Sequence, residues 1–128
     1  MTAQKQTRLS DPEHPKKGNC FTACLASILD MPIEQVPNFI DFGQDWFEPF
    51  YKFLREHGFE YHGLRHGTDA LTYEPGIDGY YIVGGKSHRE FAMSGHAVVF
   101  RHGKMIFDPH PSNDGLLSIE EAYMIERS

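Results

Sequence analysis

The strongest constraint on how this chain can fold is the stretch Cys20 to Leu29 (CFTACLASIL). Phe21, Ala23, Cys24, Leu25, Ala26, Ile28 and Leu29 cover most of a helical circumference, so a helix here must be buried on nearly all sides. A chain of 128 residues has room for a single core, and this helix must lie inside it. Gly18 permits a sharp entry, Asn19 is placed to cap the first turn, and Asp30-Met31-Pro32 closes the helix. Residues 1–17 are polar, carry Pro12 and Pro15, and read as an extended arm ahead of one domain, 18–128.

The period then changes. Asp45 to His57 reads as a second helix with Asp45 as cap, Pro49 early, Gly58 as stop, and Trp46, Phe50, Phe53 and Leu54 as packing stripe. Phe59–His62, Tyr80–Val83, Ala97–Phe100 and Met105–Phe107 read as strands, rich in β-branched and aromatic residues. Arg101-His102-Gly103-Lys104 predicts a hairpin turn between the last two. The C-terminal SIEEAYMIE fits two patterns: Ser118 and Glu121 form a capping box, yet Tyr123–Ile125 suits a closing strand. Helices first and an antiparallel sheet afterwards predict an α+β fold with the early helix packed on the sheet.

Three positions carry chemistry. Cys20 opens the buried helix, His96 begins a strand in GHAVVF, and Asp108 ends its partner in KMIFDPHP. Pairing across the Arg101–Lys104 turn sets His96 beside Asp108, as an orienting carboxylate requires. A helix N-terminus offers unpaired N–H groups and a positive dipole end, both of which favour the thiolate, the reactive form of a cysteine. An imidazolium beside it favours the thiolate further and later protonates the leaving group, while a carboxylate on the far ring nitrogen fixes the tautomer. The Cys20 N–H points where an oxyanion would form, with the Asn19 side chain as a second donor. Taken singly, Cys20 reads as a core thiol, His96 as an ordinary strand residue and Asp108-Pro109 as turn chemistry; Cys24, one turn deeper, reads as packing.

The order Cys, His, Asp in this setting resembles the papain-like cysteine peptidase superfamily. The strings GNCFTACLASIL, GHAVVF and FDPHP look most like its smaller branch, the bacteriocin-processing peptidase domains of ABC exporters, and like small uncharacterised bacterial and phage proteins with similar strings. The resemblance runs from Cys20 to near the C-terminus. It implies a papain-like fold and a hydrolase or acyltransferase acting on a peptide, isopeptide or other amide bond through a thioester. Cys20 is then the nucleophile, His96 the general base and acid, and Asp108 the orienter. The family usually places a Gln a few residues before the Cys; positions 10–17 hold none, which leaves Asn19 or the more distant Gln6 as oxyanion donor. Phe21 stands where Gly is usual. His110 is expected near the site mouth, and the segment Gly84 to Gly95, with Lys86, His88 and Arg89, as a substrate-contacting loop.

Other function classes are disfavoured. A net charge of −6 argues against nucleic acid as partner, no stretch is apolar enough to span a membrane, and no signal peptide precedes the domain, so a cytoplasmic protein is expected. Two cysteines in a reducing compartment are expected free. His14, Cys20, Cys24, His96, Asp108 and His110 give poor metal-ligand spacing, so no metal and no cofactor are expected. The rival readings are a catalytically inactive papain-like binding module and, behind it, a zinc-binding protein. The partner of the enzyme reading is a protein, peptide or small amide substrate.

Overall fold

A computed structural model describes residues 1–9, 18–67, 76–88 and 95–128. Among these residues the chain forms helix α1 (Cys20–Leu29), helix α2 (Phe47–Glu56) and strands β1 (Phe59–His66), β2 (Tyr80–Ser87), β3 (His96–Arg101), β4 (Lys104–Phe107) and β5 (Leu116–Arg127). Short 3-10 turns at Ile33–Gln35 and Phe39–Asp45 link the helices. The strands form one antiparallel sheet in the order β1-β5-β2-β3-β4, so the fold is α+β.

Helix α1 spans the stretch its apolar run predicts and is buried from Thr22 to Ile28. Its buried hydroxyl does not go unpaired: Ser27 Oγ donates to the Ala23 carbonyl at 2.7 Å and accepts the Gln4 N–H at 2.9 Å. Asp30 turns the chain out in the left-handed conformation, and the Met31 N–H bonds to the Ala26 carbonyl at 3.0 Å. The other end departs from expectation, because Asn19 makes no side-chain cap. Helix α2 starts at Phe47 rather than Asp45, which belongs to the preceding 3-10 turn, and Trp46 takes the cap position. Pro49 falls in its first turn, where no N–H partner is needed.

The sheet buries both of its faces. Ile82, Ala97, Val99 and Ile125 join α1 and α2 in the larger cluster; their chain neighbours Tyr81, Val83, Val98, Phe100 and Met124 form the smaller one, as alternation along a strand demands. The predicted hairpin closes β3 on β4 with His102 and Gly103 both at positive φ, the two-residue turn that matches strand twist. The ambiguous C-terminus is a strand, β5, inserted between β1 and β2. Backbone pairing on both its edges outweighs any local capping box. Strands β1 and β2 also run further than predicted, and β2 takes in Gly84 to Ser87 from the expected loop.

Candidate active site

Two strand ends and one helix end meet at the site. A register shift between Val99 and Phe100 leaves Ile106 as an extra residue, a bulge two residues ahead of Asp108. Gly85 lies opposite His96 in the β2–β3 ladder, so close to β5 that a Cβ there would stand 1.8 Å from the Ser118 carbonyl oxygen. Asp108 leaves β4 beside His96. Their side chains are 1% and 2% exposed, and His96 Nε2 lies 2.6 Å from Asp108 Oδ1. Asp108 leaves the other ring nitrogen, Nδ1, open, and Cys20 acts on the same imidazole. The structure thus brings together all three residues singled out from the sequence.

Asp108 is held on both oxygens. Oδ1 also accepts the His110 N–H at 2.8 Å, and Oδ2 accepts the Gly115 N–H at 2.8 Å. Burial opposes its charge, but these bonds and His96 bring the carboxyl down to about 2. For His96, burial disfavours the cation; hydrogen bonds to Asp108 and Cys20, and the charges of both, overcome this and push the imidazole up to about 9. Between Asp108 and Cys20 the imidazole is therefore held as the cation at neutral pH. Cys20 is half-buried at the first position of α1, where its N–H has no intrahelical acceptor. Cys24 is fully buried, and burial first, then the charges of Cys20 and Asp108, push its thiol up. It packs in the core, as expected, and both cysteines are free.

The described part of the arm, residues 1–9, is tied down rather than loose. The Thr2 N–H bonds to the Ser27 carbonyl at 3.1 Å, and the Gln4 side chain donates to the Met31 carbonyl and accepts the Ile33 N–H. Lys5 Nζ donates to the Asp108 carbonyl at 2.9 Å, the His110 carbonyl at 3.0 Å and Asn113 Oδ1. The Gln6 N–H bonds to the Pro109 carbonyl at 3.0 Å. The arm therefore straps α1 to the Asp108 loop. Nothing in the local sequence pattern marks Lys5, which acts across 103 residues.

The same strap explains the missing cap. Asn19 Oδ1 accepts the N–H groups of Thr7 and Arg8 at 3.0 and 2.9 Å, and its Nδ2 donates to Thr7 Oγ1 at 2.8 Å. Gln6 Nε2 donates to the Arg8 carbonyl at 2.9 Å, while Gln6 Oε1 is buried with no partner among the described residues. Each carboxamide spends one of its two N–H donors in this way. His110 sits at the site, its ring 6.1 Å from that of His96 and nearly perpendicular to it. His88 is exposed just beyond β2, and no contact joins it to the triad among the described residues; Arg89 and His14 lie outside those residues. Among the described residues no group of three or more His, Cys, Asp and Glu could hold a metal ion, and no helix is long and apolar enough to cross a membrane.

Comparison with protein-family models, with curated proteins and with solved structures gave no match.

Proposed function

We propose that the protein is a small papain-like thiol hydrolase or acyltransferase that cleaves or transfers an amide-type bond through Cys20, His96 and Asp108. The buried His96–Asp108 pair, with the other imidazole nitrogen given to the first residue of a helix, carries this reading. A carboxylate held on both oxygens is suited to keeping an imidazolium in a fixed orientation.

The Cys20 thiolate attacks the substrate carbonyl carbon, and the charge that develops on oxygen is met by the Cys20 N–H and by the spare donor of Gln6 or Asn19. His96 protonates the departing amine as the C–N bond breaks, leaving a thioester on Cys20. Water or an acceptor amine then gives a proton to His96 while attacking the thioester, and the thiolate returns as leaving group. A reducing, cytoplasmic setting suits a pair of free thiols.

An inactive binding module is the second reading. The observation in its favour is that the Asn19 and Gln6 amides are both tied to the arm. Intact-mass measurement after mixing with an activated peptide ester separates the two. The enzyme reading expects a single acyl group on Cys20, released by hydroxylamine and absent from Cys20→Ala; no adduct on Cys20 leaves the binding module.

A further inference from the structure

Beside Cys20 lies a second cluster that the acyl-transfer steps do not use. Phe21, the residue after the nucleophile, packs edge-on against Tyr123 with ring centroids 4.8 Å apart. Tyr123 Oη donates to Glu121 Oε1 at 3.0 Å, and Glu121 has no ion-pair partner among the described residues. His66 stands opposite Glu121 in the β1–β5 ladder without pairing with it. Tyr61 is 8% exposed, and its hydroxyl has no hydrogen-bond partner among the described residues. Aromatic rings surround these groups: Trp46 lies 6.4 Å from Tyr123, Phe47 lies 4.0 Å from Trp46 and 5.9 Å from Tyr61, and Tyr51 lies 5.5 Å from Tyr61. Phe47 is 36% exposed and Trp46 half-buried, so the cluster reaches the surface.

We propose that this cluster is a substrate subsite for a cationic group, the ammonium or guanidinium of a basic side chain. The chemistry of the cluster favours that occupant. Aromatic faces carry negative charge density and attract cations. Among the described residues Glu121 has one oxygen that accepts no hydrogen bond and the buried Tyr61 hydroxyl lacks a partner, an arrangement that costs stability unless something fills it. A cation with several N–H donors suits a carboxylate, an unpaired phenol and aromatic faces. An anionic group would meet Glu121, and a purely apolar one would leave both polar groups unpaired. Burial first, then the charges of Tyr51 and Glu121, raise the Tyr61 hydroxyl, so it stays protonated. The charge of Cys20 also acts on Tyr123, which places the subsite within electrostatic range of the nucleophile.

The location beside a reacting thiol rests on the reading of Cys20 given above; the binding itself does not. Trp46 is the only tryptophan, so its fluorescence reports on the cluster. Cys20→Ala protein is titrated with N-acetyl-lysine methylamide and with its norleucine counterpart, which has the same stem without the charge. The lysine compound is expected to bind at least about tenfold more tightly, a preference that Glu121→Gln removes. Tyr61→Phe is expected to weaken lysine binding while leaving the melting temperature unchanged or higher, because it deletes an unpaired hydroxyl. Equal binding of the two compounds, indifference to Glu121→Gln, or a lowered melting temperature in Tyr61→Phe overturns the subsite. Labelling of wild-type Cys20 by lysyl and norleucyl acyloxymethyl ketones then tests its use by the thiol. Faster lysyl labelling supports the proposal. Equal rates refute it while leaving the nucleophile assignment intact, and an inert Cys20 with selective binding in Cys20→Ala refutes only the catalytic reading.

Discussion

The two polar clusters on either side of Cys20 are built in opposite ways. Around Asp108, both carboxylate oxygens are occupied, and the main chain that carries it is gripped by Lys5. Around Tyr61 and Glu121, a buried hydroxyl has no partner among the described residues and a carboxylate is half-used, although the rings that enclose them pack closely. The difference separates two tasks. A group that must hold another side chain in one orientation needs every hydrogen bond made inside the protein, whereas a group that receives something from outside must keep a bond unmade.

Substitutions test this contrast from its strongest point downward. Asp108→Ala removes three hydrogen bonds and leaves His96 buried without its counter-charge, which is expected to cost about 3–5 kcal/mol in denaturant unfolding. Asp108→Asn is expected to keep the fold and lower the acylation rate on the order of 10⁴-fold, since the imidazole loses its preferred tautomer. The pH dependence of unfolding gives the next largest effect. The folded-state value of His96 is raised from 6.5 to about 9, so its contribution is complete below pH 6.5 and lost as pH rises through about 9. Asp108 is lowered from 3.8 to about 2, so its contribution is complete above pH 3.8 and lost as pH falls through about 2. Counted once, the pair contributes roughly 2 kcal/mol between those limits, and a stability curve that stays flat from pH 6 to 10 would break the assignment. Acylation should decline on the same alkaline limb, because the leaving amine then finds no proton on His96.

Lys5→Met comes third. It leaves the arm in place but frees the Asp108 loop, with an expected loss of about 1 kcal/mol in melting experiments and a larger proportional loss of acylation rate than of stability. Equal proportional losses would make the strap a purely structural tie. At the small end, Tyr61→Phe is expected to be neutral or stabilising, the opposite sign to every change on the Asp108 side.

What could be read in advance divides along sequence distance. Helix α1 was legible because an apolar residue at nearly every position has one solution, and His96 beside Asp108 was legible because a two-residue turn leaves little freedom in where its strands end. The cap role given to Asn19 failed for a physical reason: backbone amides of Thr7 and Arg8 compete for the same side-chain oxygen, and nothing near Asn19 announces them. Strand β5 looked equally like a helix because its pairing partners, β1 and β2, lie far upstream. Lys5 and the Tyr61–Glu121 cluster were invisible for the same reason. They are made by isolated polar residues from distant elements, which leave no periodic trace.

The most direct test of the central claim is the rate of iodoacetamide modification at Cys20, followed by peptide mapping across pH in wild type and His96→Ala. Coupling of thiol and imidazole predicts that His96→Ala reacts much more slowly near neutral pH and that the two rates converge in alkaline solution, where any thiol is ionised. Superimposed curves across the whole range would contradict it.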